Sequence, residues 1–214
     1  RPSDIVSNPI ETEFFSPPAP ERRRTVKVQR KFGDNVIAYA GRLAPEKRIG
    51  VLIRAVARLT RSHPDVLLVL AGHGGARAGL EALARELGVA HNVRFLGTVT
   101  KPVLADVLGA SDCFAIASTS ETQSMAALQA MACGLPVVAV DSLALPETVQ
   151  DGVTGIIVPP DDDERMAAAI GFLLTNRAER DRRGKQAAEH VRNMCSSDAV
   201  VARFEEIYGR HLSP

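Results

Sequence analysis

The sequence predicts an α/β protein, a doubly wound parallel sheet of about six strands with helices on both faces. Two observations lead there. From Asn35 onward, short apolar runs alternate five or six times with segments whose apolar residues recur every third or fourth position, as strands joined by crossover helices do. The polar residues that stand out (Arg42, His73, the neighbours of Val99, and Glu121) each follow the end of an apolar run. They therefore share the carboxyl edge of the sheet, where open α/β folds bind ligands.

Residues 1–34 show no sustained period. Ile5 to Ile10 reads as a short strand running into a turn. Pro17, Pro18 and Pro20 are expected to break any element, and Arg22-Arg23-Arg24 reads as a solvated loop. Val36 to Ala40 is the first strand, ending at Gly41-Arg42. Pro45-Glu46-Lys47 opens a helix with Ile49, Leu52, Ile53, Val56 and Leu59 as its apolar positions. Val66 to Ala71 is the second strand and runs into Gly72-His73-Gly74-Gly75. The helix after it turns Leu80, Leu83 and Leu87 inward and stops at Gly88. Val93 to Leu96 is the third strand. Lys101 to Leu108 is a short helix with Pro102 in its first turn, where the missing N–H costs nothing.

Cys113 to Ala117 is the fourth strand, followed by a polar loop that carries Glu121. Ser120 and Thr122 are the expected caps of the next helix, which places Met125, Leu128 and Met131/Ala132 on one face and ends at Gly134 and Pro136. Pro136 to Val140 is the fifth strand, Leu145 to Val149 a helical turn, and Gly155 to Val158 the sixth strand after a tight turn at Asp151-Gly152. Asp161-Asp162-Asp163 cap a helix running to about Leu174; three acids there complement the helix dipole and are not read as a metal site. Two further helices, Ala178 to Met194 and Asp198 to His211, close the chain.

Composition narrows the function. Hydrophobic residues make up 45% of the chain but aromatics only 4%, with no Trp, so the core is mostly Val, Leu, Ile and Ala. The net charge is +1, from 26 basic and 25 acidic residues, which gives no electrostatic case for nucleic acid. Scarce aromatics also argue against single-strand stacking platforms. Cys113, Cys133 and Cys195 are scattered without a CxxC, and read as reduced thiols in a cytoplasmic protein. The five His lack metal-ligand spacing, so neither metal nor bound cofactor is expected. No apolar run is long enough to span a membrane, and Arg1-Pro2-Ser3-Asp4 lacks the apolar core of a signal peptide. The chain reads as starting partway through a longer one.

The chemistry is expected where the strands end. Arg42 offers a planar fork that matches a phosphate, and Lys47 a mobile point charge. The helix N-terminus after Thr122 presents free N–H groups and the positive end of a dipole, which suit the same anion. Glu121 and Gln129 lie about 12 Å apart if both follow the helical rise, a span that suits a ligand with hydroxyls at both ends and an anionic middle. Other chemistries lack their signatures. Gly72-His73-Gly74-Gly75 lacks the GxGxxG spacing and reads as a tight turn that lets a ligand approach, with His73 at its rim. There is no GxxxxGK[ST] and no GxSxG, and Cys133 sits in a helix, a poor place for a nucleophile.

Gly41-Arg42-Leu43 with Glu46-Lys47, Gly72-x-Gly74, Phe95-Leu96-Gly97, Glu121 through Val138, and Asp151-Gly152-x-x-Gly155 with Val158-Pro159 occur in one order. Together they resemble the carboxyl-terminal, Rossmann-like domain of retaining GT-B glycosyltransferases of the glycosyl transferases group 1, glycogen-synthase-like superfamily. The resemblance covers roughly residues 5–212. It implies a nucleoside-diphosphate-sugar donor such as a UDP- or GDP-sugar, with no metal required. The acceptor is left undefined: glycan, lipid or small molecule. Glu121, Arg42 and Lys47 are the implied catalytic set, Glu121 holding sugar hydroxyls and the two cations the diphosphate. The N–H groups of Ser124, Met125 and Ala126 would share the diphosphate, and Val99 would meet the base through its backbone. Gly41, Gly72, Thr122 and Gln123 complete the implied donor site.

Two departures from the family pattern stand out. The second acid of the motif helix, which would bind the ribose, is Gln129 here, and Asn8-Pro9-Ile10-Glu11 replaces the usual Asn-Gly-x-Asp. The resemblance further implies that residues 1–34 lead in from an acceptor-binding domain absent here, that residues 35–197 form the donor domain, and that residues 198–214 cross back toward the absent domain. Alone, this stretch is expected to be inactive. In the whole enzyme, contact with the inner face of a membrane would come through the other domain. The alternatives are a GT-B-fold nucleotide-sugar epimerase and a non-catalytic nucleotide-sugar-binding or interaction module.

Overall fold

The computed structural model describes residues 6–212. Arg1 to Ile5, and with them the start of the short strand expected over Ile5 to Ile10, lie outside the described residues. Six strands form one parallel sheet in the order β3-β2-β1-β4-β5-β6: β1 (Val36–Ala40), β2 (Leu67–Ala71), β3 (Val93–Gly97), β4 (Cys113–Ile116), β5 (Val137–Val140) and β6 (Gly155–Val158). The central strands are apolar throughout because both of their faces are covered. Side chains alternate between two cores. Leu67 and Val69 of β2 pack with Val26, Phe32 and Val107 on one side, whereas Leu68 and Leu70 join the larger core on the other. On the face of Leu68 and Leu70, α2 (Ile49–Leu59) packs with α3 (Arg77–Glu86) and α7 (Asp163–Thr175). Opposite them lie α1 (Pro20–Arg30), α4 (Lys101–Ala110), α5 (Met125–Ala132) and α8 (Arg177–Cys195). The short helix α6 (Leu145–Thr148) links β5 to β6, and α9 (Ser197–Leu212) follows α8.

The amino-terminal stretch departs from expectation. Val6 to Pro9 form no strand, and Ile10 makes only an isolated bridge with Ser196. Pro17 and Pro18 lie outside any element as expected, but Pro20 does not break one. Pro20 starts α1, where its fixed φ favours the first turn and its missing N–H has no partner to lose. The arginine run belongs to this helix. Arg22 forms a forked pair with Asp106, and Arg23 reaches Asp112 at 2.8 Å. The helix expected from Pro45 is also divided. A single 3₁₀ turn, Pro45–Lys47, is followed by Arg48 at φ 51°, and only then does α2 begin.

Asp112, just before β4, is only 2% exposed yet is surrounded by cations. Its carboxylate lies 2.8 Å from Arg23, 3.3 Å from Lys27 and 3.3 Å from Arg180, and accepts the Val36 N–H at 2.9 Å. One acid thus ties α1 and α8 to the amino ends of β1 and β4. A buried carboxylate is tolerated only when paired and hydrogen-bonded, as here. Asp112→Ala removes the counter-charge and leaves the Val36 N–H without its acceptor. Urea unfolding should show a loss of about 3 kcal/mol with little change in the denaturant slope; a loss below about 1 kcal/mol would contradict this role.

Candidate functional site

The carboxyl edge of the sheet is built from glycine. Gly41 (φ 149°), Gly72 (φ 151°) and Gly74 (φ 157°) hold backbone conformations that side chains rarely adopt. A Cβ on Gly72 would stand 1.8 Å from the Gly41 carbonyl oxygen, and one on Gly74 would stand 2.2 Å from that of Leu43. The close approach keeps the chains after β1 and β2 zipped past the strands themselves. Gly41 N–H donates to Ala71 at 3.0 Å, Leu43 N–H to His73 at 2.9 Å, and Ala76 N–H to Leu43 at 3.0 Å. Gly72 and Gly74 therefore serve backbone–backbone packing, and Gly72 also borders the cleft beside it. His73 is exposed at the rim, where its Nδ1 meets the Thr98 hydroxyl at 2.9 Å.

Beside this zipper, between the carboxyl ends of β1, β2 and β3 and helix α5, runs a cleft of about 420 Å³. Gly41, Arg42 and Gly72 form one part of its lining, Thr98 and Val99 another, and Met125, Ala126 and Gln129 of α5 a third. Seven residues of the donor site implied by the resemblance thus meet in one place, with His73 beside them. Met125 and Ala126 lie in the first turn of α5, where no intrahelical carbonyl is available to their N–H groups.

The cap of α5 is Ser124, whose hydroxyl accepts the Ala127 N–H at 3.3 Å; neither Ser120 nor Thr122 caps it. Contacts outside the helix hold the preceding loop: the Glu121 carbonyl accepts from Ala144 at 3.3 Å, and the Gln123 amide is committed elsewhere. Glu121 therefore stands off the helix, and the 12 Å helical span to Gln129 does not apply.

Two more of the expected residues face away. Thr122 and Gln123 line a separate cavity of about 690 Å³ shared with α8 and α9. Gln123 hydrogen-bonds Asn8 and Ser7.

Lys47 and Glu121 do not line the cleft directly. They join each other at 2.7 Å, each side chain less than a fifth exposed, across the gap between the loops after β1 and β4. The Thr119 N–H donates to the Glu46 carbonyl at 3.4 Å nearby. Arg42 pairs with Glu46 at 2.7 Å on the surface. Beneath these charges the Tyr39 hydroxyl donates to the Arg42 carbonyl at 3.1 Å. Burial, helped by the negative charges of Glu121 and Glu46, pushes this phenol above its ordinary range, so it remains a donor. Burial also pushes the Cys133 thiol up to about 12, which removes it as a nucleophile. Among the described residues no group of three or more His, Cys, Asp or Glu is placed to hold a metal, and no helix is long and apolar enough to cross a membrane.

Residues 21–190 match the family described as glycosyl transferases group 1. The chain belongs to this family. It is similar to the D-inositol 3-phosphate glycosyltransferase of Mycobacterium marinum, 37% identical over 216 residues that cover 96% of this chain and 45% of that protein. The chain spans about half the length of the curated relatives it matches. Among solved structures, the Anabaena protein Alr3699/HepE in complex with UDP and glucose superposes with a TM-score of 0.87 at 23% identity, over 96% of this chain and 56% of that one. The carboxyl-terminal domain of a glycosyl transferase group 1 family protein from Francisella tularensis gives 0.79 at 22% identity, over 88% of this chain and 99% of that domain. At these identities the structural likeness establishes the shared Rossmann-like α/β fold.

The glycine zipper makes a sharp contrast between neighbours. Gly72→Ala should cost about 3 kcal/mol, from the clash and the positive φ together. Gly75→Ala, with no atom near its new Cβ, should stay within about 1 kcal/mol. Paired thermal unfolding curves check this, and equal losses would contradict the close-approach argument.

Proposed function

We propose that this chain is the donor-binding half of a retaining glycosyltransferase that moves a sugar from a nucleoside diphosphate to an acceptor. The observation that carries the reading is the cleft itself. One space beyond the carboxyl ends of β1, β2 and β3 is lined by the α5 N-terminus, by Arg42, and by Val99 after β3. A diphosphate would lie against the Met125 and Ala126 N–H groups and Arg42, the base near Val99, and the ribose near Gln129. The UDP and glucose bound to the Anabaena neighbour are consistent with such a ligand.

The chemistry follows from charge. As the bond between the sugar's anomeric carbon and the diphosphate breaks, negative charge grows on the leaving oxygen. Preformed N–H donors and cations aimed there stabilise that charge more than they stabilise the bound donor. Lys47 has three donors, so it can keep Glu121 while turning one N–H to the phosphate. Arg42 gives up only an exposed pair, worth about 0–1 kcal/mol, when it turns from Glu46. Glu121, oriented by Lys47, would accept hydroxyls of a sugar that reaches past the cleft's edge and is not assigned as a nucleophile. Retention means that the new bond forms on the face the diphosphate leaves.

The acceptor would be held by a further domain of the whole protein, against which the exposed Val201, Phe204 and Tyr208 of α9 would pack. The name of the curated relatives makes an inositol phosphate the first acceptor to try with the full-length enzyme. This chain alone should bind donor without turnover.

Titration calorimetry with UDP, GDP and ADP tests the reading. At least one should bind, and silence from all three at millimolar concentration would contradict it. Gln129→Glu replaces a neutral partner with a charged one and should tighten the preferred nucleotide about fivefold through its ribose hydroxyls. Unchanged affinity would show that Gln129 does not touch the ribose.

A further inference from the structure

Gln123 has an unusual set of partners for a residue next to a helix cap. Its Oε1 accepts the Asn8 backbone N–H at 2.9 Å and the Asn8 side-chain amide at 2.6 Å. Its Nε2 donates to the Ser7 hydroxyl at 2.6 Å. The Ser7 hydroxyl in turn donates to the Cys195 thiol at 3.2 Å, while the Ile10 N–H donates to the Cys195 carbonyl at 2.6 Å. Cys195 ends α8, one residue before Ser196 leads into α9. One glutamine thus connects the segment through which the first residues join the domain, the α8–α9 joint, and the loop that carries Glu121 and the Ser124 cap.

That loop has few other restraints. Thr119 N–H reaches Glu46, the Glu121 carbonyl accepts from Ala144, and the Glu121 side chain meets Lys47. Between Glu121 and the cap, it is the Gln123 side chain that hydrogen-bonds to distant chain. All three of its bonds run to the one segment, Ser7-Asn8, so a shift of that segment is passed to the residue adjoining the helix N-terminus.

We propose that Gln123 is a positioning residue that ties the placement of the Glu121 loop and the α5 N-terminus to that of the Ser7–Ile10 segment. The inference rests on the donor-site reading for its effect on nucleotide, but the latch is a claim about this chain's own bonds. Nucleotide binding at α5 and the order of the Asn8 amide become linked: each favours the other.

The test combines hydrogen exchange at the Asn8 amide with calorimetry on the wild-type chain, Gln123→Leu, Asn8→Ala and Gln123→Glu, using UDP, GDP and ADP as probes. Without nucleotide, Gln123→Leu should speed Asn8 exchange, whereas Gln123→Glu, which keeps the acceptor for both Asn8 donors, should retain protection. With the nucleotide that binds, wild-type Asn8 should exchange more slowly still, and Gln123→Leu should lose that response. Its affinity should fall about three- to tenfold, the worth of one or two net hydrogen bonds. Asn8→Ala should weaken binding similarly, and the two changes together should add little. Folding is checked by near-native circular dichroism of each variant, and Asn8→Ala removes the same bonds from the other side if Gln123→Leu does not fold. Nucleotide that binds wild type and Gln123→Leu equally, with no change at Asn8, overturns the proposal. If no nucleotide binds wild type, the donor reading fails, and equal Asn8 exchange in wild type and Gln123→Leu then overturns the latch as well.

Discussion

The reversal of strand order between β1 and β4 is the constraint on which the rest depends. From β1 the chain proceeds outward to β2 and β3, then returns to place β4 on the other side of β1. The connections leaving β1 and β4 therefore diverge, and a crevice opens at their carboxyl ends. Gly41, Gly72 and Gly74 keep the opening on one side only, because their missing side chains let the β1 and β2 extensions hydrogen-bond as far as Leu43. Lys47 and Glu121 then bridge the open side. The α5 N-terminus is delivered to the same crevice by Ser124, which satisfies one N–H and leaves the first turn facing the cleft.

The two edges of the sheet treat charge differently. At the amino edge Asp112 is buried and consumes the charges of Arg23, Lys27 and Arg180. Breaking such a buried arrangement costs about 3–5 kcal/mol, so it holds helices in place and does not exchange partners. At the carboxyl edge Arg42 pairs on the surface, where an ion pair is worth about 0–1 kcal/mol and gives way to a better partner. Lys47 and Glu121 are intermediate, sheltered enough to be oriented but not enclosed. An anion in the cleft would meet Arg42, whose present partner is weakly held. A cation at the other edge would be unavailable.

How much of this is legible in the sequence depends on whether the signal is local. The six strands are readable because burial on both faces makes each an apolar run, and the loops after them are readable as a consequence. For that reason Arg42, His73 and the neighbours of Val99 can be placed at one edge from the pattern, whereas Gly41, Gly72, Met125, Ala126 and the ribose role of Gln129 come from the family resemblance, which leaves their roles to be tested. Helix α1 is hidden because Val26 is its one buried residue and prolines stand before it. Asp112 is hidden because its partners lie 68 to 89 residues away, and no spacing announces them. The true cap, Ser124, and the outward turn of Thr122 and Gln123 are decided by contacts with Asn8, Ser7 and Ala144, which local propensity does not see.

The central claim is that the cleft between the β1–β3 ends and α5 is a nucleotide-sugar site, and its most direct test is where a nucleotide acts on the chain. Backbone amide chemical shifts can be followed while UDP, GDP or ADP is added to isotopically labelled protein. The account predicts that the largest changes fall at Val99, Met125 and Ala126, with smaller ones in the 41–48 loop. Changes confined to the cavity shared by α8 and α9, with Met125 and Ala126 unmoved, would contradict it.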